Sequence, residues 1–215
     1  MIKAVLFDMD GVLIESEIEY MKRFVEVFRS KNIIVREEDF YCLVGASSPD
    51  SLETFDKLAK PISGAKMMSL CAQSILDNPF AYKEIRTENI YELLRDLKED
   101  GYKIAVASAT SRQGIQLALK ETSLDQFVDV YYSGDDCPRS KPFPDVYLKV
   151  MELLDVTPEQ CVILEDSKPG IQAATSAGGY VVAREVPIFP IDQSLASEKI
   201  RDVYDLYAIV KKLDK

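Results

Sequence analysis

Asp8 and Asp10 stand one residue apart in Phe7-Asp8-Met9-Asp10-Gly11, directly after the apolar run 2–7 (IKAVLF). Two carboxylates so placed can form a plain turn, with the aspartates capping the next helix. They can also act as a nucleophile and its own proton donor. Other groups able to do chemistry follow three further apolar runs. Ser108, Ala109 and Thr110 follow 103–107 (KIAVA), and Lys141, in Arg139-Ser140-Lys141-Pro142, follows 128–132 (VDVYY). Glu165, Asp166 and Ser167 follow 161–164 (CVIL). Each has a plainer role available: Ser108, Thr110 and the 165–167 stretch as helix N-caps, Lys141 as a solvated surface lysine.

If these four ends converge, one crevice holds four carboxylates, one or two hydroxyls and one lysine. Carboxylates so crowded repel one another unless a cation sits among them. An all-oxygen donor set without Cys or His suits a hard cation, and Mg²⁺ is the usual choice beside phosphate. The ion, Lys141 and backbone N–H groups would then cradle a phosphoryl group. Phosphoryl transfer needs charge neutralisation and an in-line nucleophile more than a strong base, and a carboxylate can be that nucleophile.

The composition narrows the chemistry. The chain of 215 residues contains no histidine, which excludes Ser-His-Asp triads, Cys-His dyads and His-based zinc sites. Proton transfer must come from carboxylates, Lys, Tyr or metal-bound water. The net charge of −10 argues against nucleic acid as a partner. No run of about twenty apolar residues is present to span a membrane, and the early acid at Asp8 is unlike a signal peptide. Four scattered cysteines without a C-x-x-C pair fit a reducing cytoplasm.

The elements that must position these groups are short, β-branched-rich runs at 2–7, 103–107, 128–132, 161–164 and 180–183, which resemble buried parallel strands. Amphipathic helical patterns at 88–100, 110–122, 145–154 and 170–177 lie between them. The alternation predicts an α/β fold with a doubly wound parallel sheet. Residues 17–81 break the rhythm: helical patterns at 17–30, 51–60 and 66–76 come without a convincing strand. The expected organisation is a core domain of 1–14 and 82–215 carrying an inserted helical cap domain, 15–81. Ligands of open α/β sheets bind beyond the carboxyl ends of the strands, which is where the candidate residues fall.

The stretches FDMDG, ASAT, SKPFPD and LEDSKPG, in this order and with a helical insert after the first, resemble the four motifs of the haloacid dehalogenase (HAD) superfamily. The subgroup with a helical cap includes β-phosphoglucomutases and many sugar-phosphate phosphatases. The resemblance implies a Rossmann-like core, Mg²⁺ as cofactor and a small phosphorylated metabolite as substrate. It implies Asp8 as nucleophile and metal ligand, and Asp10 as general acid/base whose main-chain carbonyl also meets the metal. Ser108 and the Ala109 N–H would bind phosphate, Lys141 would bridge nucleophile and phosphate and be followed by a frequently cis Lys–Pro bond, and Glu165 with Asp166 would place the Mg²⁺. Members that hydrolyse carbon–halogen bonds lack an acid at the position of Asp10, so phosphoryl transfer is favoured. β-Phosphoglucomutases carry a histidine where Tyr20 stands here, and a cap arginine near the stretch Gly45-Ala46-Ser47-Ser48-Pro49, which has none. A mutase must hold a second phosphate dianion, so both absences favour a phosphatase, with a sugar-phosphate mutase or a catalytically silent binding module as the alternatives. Arg23, Arg29 or Lys57 could stand in for the missing cap arginine. Tyr20, Phe24, Ser47, Ser48 and Lys57 are the candidates to face substrate, with cap-core packing the competing role for Tyr20 and Phe24. A cytoplasmic monomer is expected.

Overall fold

The computed structural model describes residues 1–44 and 48–214. It contains a six-stranded sheet in the order β3-β2-β1-β4-β5-β6, with every neighbouring pair parallel. The strands are β1 (Ala4–Phe7), β2 (Lys103–Ser108), β3 (Val130–Ser133), β4 (Cys161–Glu165), β5 (Tyr180–Arg184) and β6 (Glu198–Ile200). Five of them match the predicted runs. The sixth, Glu-Lys-Ile, has three residues and only one apolar side chain, so it carries no periodic signal; pairing with β5 alone makes it a strand.

Side-chain alternation splits the sheet into two apolar layers. Val5, Phe7, Ile104, Val106, Val162, Leu164 and Val182 pack with α4 (Ile90–Glu99), α5 (Arg112–Glu121) and α8 (Asp205–Leu213). Ala4, Leu6, Ala105, Ala107, Ile163 and Ala183 face α6 (Asp145–Leu154) and α7 (Lys168–Ala177) on the other side. The small residues of β1 and β2 on that second face leave room for Tyr147, which is wholly buried. Residues covered on both faces explain why the strands read as continuous apolar runs rather than alternating ones.

The chain divides into two compact units, Met1–Glu15 with Tyr82–Val186 and Asp192–Lys215, and Ser16–Ala81 with Pro187–Ile191. In the first unit, the two segments that lead toward and away from the insert run side by side: Glu15 N donates to Ile85 O at 2.7 Å and Thr87 N to Leu13 O at 3.0 Å. The second unit is helical, with α1 (Ser16–Ser30), α2 (Ser48–Leu58) and α3 (Gly64–Asp77) and a 3₁₀ stretch at Glu37–Leu43. Its core is aromatic. Phe24, Phe28, Phe40 and Phe55 meet largely edge to face, with Phe40 centred 5.4 Å from both Phe24 and Phe28. Arg23 closes the carboxyl end of α3, donating to Ser74 O at 2.7 Å and Asn78 O at 3.1 Å, as a cation at a helix C-terminus should.

Candidate active site

The strand order reverses between β1 and β4, the place where open α/β sheets form a ligand crevice. Register decides which residues meet there. Phe7 lies beside Val106 on one flank and Leu164 on the other, so the next residue, Asp8, comes level with Ala107 and Glu165. Asp8 N donates to Leu164 O at 3.0 Å, which extends the ladder and fixes the aspartate at the sheet's edge.

Lys141 joins the two flanks. Its ammonium donates to Asp8 Oδ1 at 2.6 Å, Glu165 Oε1 at 2.7 Å and Ala107 O at 3.1 Å, which uses all three of its N–H bonds. Burial opposes charge on Lys141, but Asp8 and Glu165 outweigh it and hold the ammonium well above its ordinary range. Lys141 is therefore no surface lysine; its chain rests against the Tyr147 ring, with Nζ 5.0 Å from the centroid. The Lys141–Pro142 bond is cis.

Glu165 is fully buried and takes five donors: Lys141 and the Tyr147 hydroxyl on Oε1, then Asp166 N, Ser167 N and Ser167 Oγ on Oε2. Ser167 also caps α7 by accepting from Gly170 N at 3.1 Å. The first turn of α7 comes so close that a Cβ on Gly170 would overlap the Glu165 carboxylate. A Cβ on Gly11, whose φ is +73°, would likewise overlap the Asp166 carboxylate. Both glycines thus keep backbone against an acidic group.

Asp10 Oδ2 accepts from the Thr110 hydroxyl at 2.7 Å. Thr110 N donates to Ser108 Oγ at 3.0 Å, and Ser133 Oγ donates to Thr110 O at 2.7 Å. The cap of α5 is Ser111, which accepts from Gly114 N at 3.3 Å, so neither Ser108 nor Thr110 is needed for that task. Ser108 is buried and Ala109 exposed beside it.

Carboxylate oxygens of Asp8, Glu165 and Asp166 lie within 4.8 Å of one another, and all three residues are buried. Burial, with Glu165 and Asp10 adding to it, pushes the Asp8 carboxyl up to about 7 despite the pull of Lys141. Among the described residues Lys141 is the ammonium bonded within this group, and a gathered all-oxygen set of buried carboxylates fits a hard divalent cation. The two glycines leave the acidic side chains uncrowded by Cβ atoms.

Of the predicted cap residues, Tyr20, Phe24 and Lys57 are among the described ones. Tyr20 packs edge-on against Phe80 at 5.0 Å and against Phe24 at 6.4 Å. Both Tyr20 and Phe24 line a cavity of about 340 Å³ in the helical unit, together with Met21, Phe55, Met68 and Ile75. Lys57 is an exposed partner of Glu53 at 2.7 Å. Ser47 lies outside the described residues; Ser48 opens α2, but its side chain lies outside them too.

Three residues beside the site carry no expectation from sequence. Tyr147 supports Glu165, and Arg184 and Gln193 hold main-chain carbonyls of the site loops. Arg184 ends the run 180–183, so the strand-end rule reaches it. Tyr147 looks like a core residue of a helix, and Gln193 sits in a polar stretch with no pattern.

Comparisons with known proteins agree with this geometry. Residues 5–183 match the family model of the haloacid dehalogenase-like hydrolases. The chain is 31% identical to the pyrophosphatase PpaX of Bacillus mycoides, covering 85% of this chain and 83% of that one. It is also 31% identical to a phosphorylated carbohydrates phosphatase of Thermotoga maritima, over 82% of each chain. A HAD family hydrolase from Deinococcus radiodurans, solved with bound phosphate and sodium, has a TM-score of 0.82 at 25% identity, covering 99% of this chain and 96% of that one. With the motif residues gathered at one switch point of a parallel sheet, the chain belongs to the haloacid dehalogenase-like hydrolases.

Proposed function

We propose that this protein is a Mg²⁺-dependent phosphatase that hydrolyses a small phosphorylated metabolite, with phosphorylated carbohydrates the favoured class, through an aspartyl-phosphate on Asp8. The observation that carries it is the Lys141 ammonium clasped between Asp8 and Glu165 beside Asp166, three buried carboxylates whose oxygens lie within 4.8 Å of one another. The carbohydrate phosphatase among the relatives supports the substrate class.

Asp8, Asp166 and the Asp10 main-chain carbonyl would hold Mg²⁺, with Glu165 acting at one remove because its oxygens already take five donors. When bound, the ion supplies positive charge to the phosphoryl oxygens and lets the neighbouring carboxylates ionise together. The Asp8 oxygen not held by Lys141 attacks phosphorus in line, while Asp10 passes its proton to the departing ester oxygen. Asp10, now a carboxylate, takes a proton from the water that cleaves the acyl phosphate and frees Asp8. The Thr110 hydroxyl holds Asp10 in one orientation through both steps. Lys141, the Ser108 hydroxyl and the Ala109 N–H stabilise the equatorial oxygens. The helical unit, as a cap, would exclude water for the first step and admit it for the second. The four free thiols suit a reducing cytoplasm.

The test is phosphate release with Mg²⁺ from a panel of sugar phosphates, p-nitrophenyl phosphate and inorganic pyrophosphate, the last because of the PpaX relative. Asp8→Asn is expected to lose at least about 10³-fold in turnover with the fold intact, since it removes the nucleophile. Full activity in that variant sinks the mechanism. Glucose 6-phosphate forming from β-glucose 1-phosphate faster than free phosphate appears would replace hydrolysis by a mutase reaction.

A further inference from the structure

We propose that Arg184 and Gln193 are positioning residues of the active site, which hold the loop after Asp10 and the backbone of Asp166 through main-chain carbonyls. The proposal uses the function proposed above only for the identity of the ion; the bonds themselves do not depend on it.

Gln193 is 5% exposed. A glutamine is seldom buried so deeply unless its amide is satisfied, and here both amide hydrogens are spent. Nε2 donates to Asp166 O at 2.6 Å and to Arg184 O at 2.8 Å. Arg184 in turn sends Nη1 to Gly11 O at 2.6 Å and Nη2 to Glu15 Oε1 at 2.5 Å. The guanidinium is mostly buried, with 12% of the side chain exposed. The result is a continuous chain of bonds running from the carbonyl of Asp166, through Gln193 and Arg184, to the residue after Asp10 and to the last residue before the helical insert.

Both residues flank one segment. After β5, Glu185 N donates to Ile200 O at 2.7 Å, and the backbone then leaves the sheet unit. Residues Pro187–Ile191 belong to the helical unit, where Phe189 packs edge-on to Tyr41 at 5.3 Å. The chain returns at Asp192. Arg184 and Gln193 thus close the base of this excursion and use it to clamp the two loops that bear candidate metal-binding groups. Gly11 has a left-handed φ and Asp166 stands immediately beyond β4; isolated bridges Asp10–Ile14 and Ile14–Arg86 pair parts of the first loop, and Arg184 adds a side-chain hold on the Gly11 carbonyl that lies within it. Partners that orient ligands in this way typically matter 10–100-fold for metal affinity.

The experiment compares wild-type protein with Gln193→Leu, Arg184→Met, Arg184→Lys and Asp192→Asn. Asp192 pairs at the surface with Lys168 at 3.1 Å and serves as the neighbouring control. Mn²⁺ alone is the probe, titrated by electron paramagnetic resonance, and amide hydrogen exchange is followed over residues 9–15 and 165–168. Gln193→Leu and Arg184→Met are expected to weaken Mn²⁺ binding about 10-fold or more, and to speed exchange in those two loops. Arg184→Lys, keeping the charge but not the planar fork, should recover part of the affinity, and Asp192→Asn should match wild type. If Gln193→Leu does not fold, the two Arg184 variants decide. Affinities within twofold of wild type, or exchange no faster than in Asp192→Asn, overturn the proposal. A wild-type protein that binds no Mn²⁺ overturns the metal-dependent function instead, and the exchange comparison still judges the two positioning residues.

Discussion

Lys141 carries one positive charge into a buried space shared by Asp8 and Glu165, with hydrogen bonds of 2.6 and 2.7 Å. Such a lysine stabilises mainly by what its loss would leave behind. Lys141→Met keeps the length of the side chain and removes the charge, so two buried carboxylates face each other without a counterion. Breaking a buried pair from one side costs about 3–5 kcal/mol, and the variant is expected to lose that much in urea titrations along with its turnover. A loss below about 1 kcal/mol, the range of exposed pairs, would show that water reaches the cluster and that the clasp is weak. The surface pairs provide the contrast: Lys57–Glu53 at 2.7 Å is as short, yet both side chains are about two-thirds exposed or more.

Elements reach the site through a few close approaches of backbone, and glycine marks them. Gly170 and Gly101 make a matched pair for testing this. At Gly170 an added Cβ would run into a Glu165 carboxylate that five donors hold in place, so the side chain cannot swing aside. At Gly101 the φ is +87° but nothing lies within 4 Å of the added atom. Gly101→Ala should cost about 1 kcal/mol, from left-handed strain alone, and leave turnover unchanged. Gly170→Ala should cost about 2–3 kcal/mol from overpacking and should depress turnover by shifting Glu165 and with it Lys141. Equal effects at both positions, in thermal unfolding and in phosphate release, would remove the special status of the α7 approach. The same pair shows what was legible in sequence. Asp8, Lys141 and Glu165 could be found because each follows an apolar run, and strand ends converge in any open α/β sheet. Gly170 could not be read as a contact with Glu165, because nothing local reveals how near a helix passes. β6 and Gln193 were silent for a related reason. A three-residue edge strand and a buried glutamine are defined by partners far along the chain, Val182–Arg184 for one and the Asp166 and Arg184 carbonyls for the other.

At the scale of the whole molecule, a chain of net charge −10 invites the expectation that acid governs its stability. Asp8, raised to about 7, acts between acid and neutral pH, but the other buried groups with raised values point to the alkaline side. Burial pushes the thiols of Cys71 and Cys161 up to about 12, and burial with Asp214 nearby pushes the Tyr102 hydroxyl up to about 12. Burial and the Glu165 charge hold Tyr147 well above its usual range, and Lys141 is also raised, by Asp8 and Glu165 against its burial. The sign follows from proton counting. Between about pH 9 and 12 the unfolded chain releases these protons while the folded chain keeps them, so the native state binds more protons and stability falls as pH rises. For Lys141 the contribution is complete below 10.5 and is lost as pH climbs through the raised value; for the thiols and phenols, ionisation is what folding forbids. Each proton of difference is worth about 1.4 kcal/mol per pH unit. The urea midpoint is therefore expected to fall steeply between pH 9 and 11, with a slope of more than one proton. In Tyr102→Phe that slope should become shallower, because one retained proton is gone. A midpoint that stays level from pH 8 to 11 would mean that these groups ionise inside the folded protein, and that their buried surroundings are far more open to water than the packing implies.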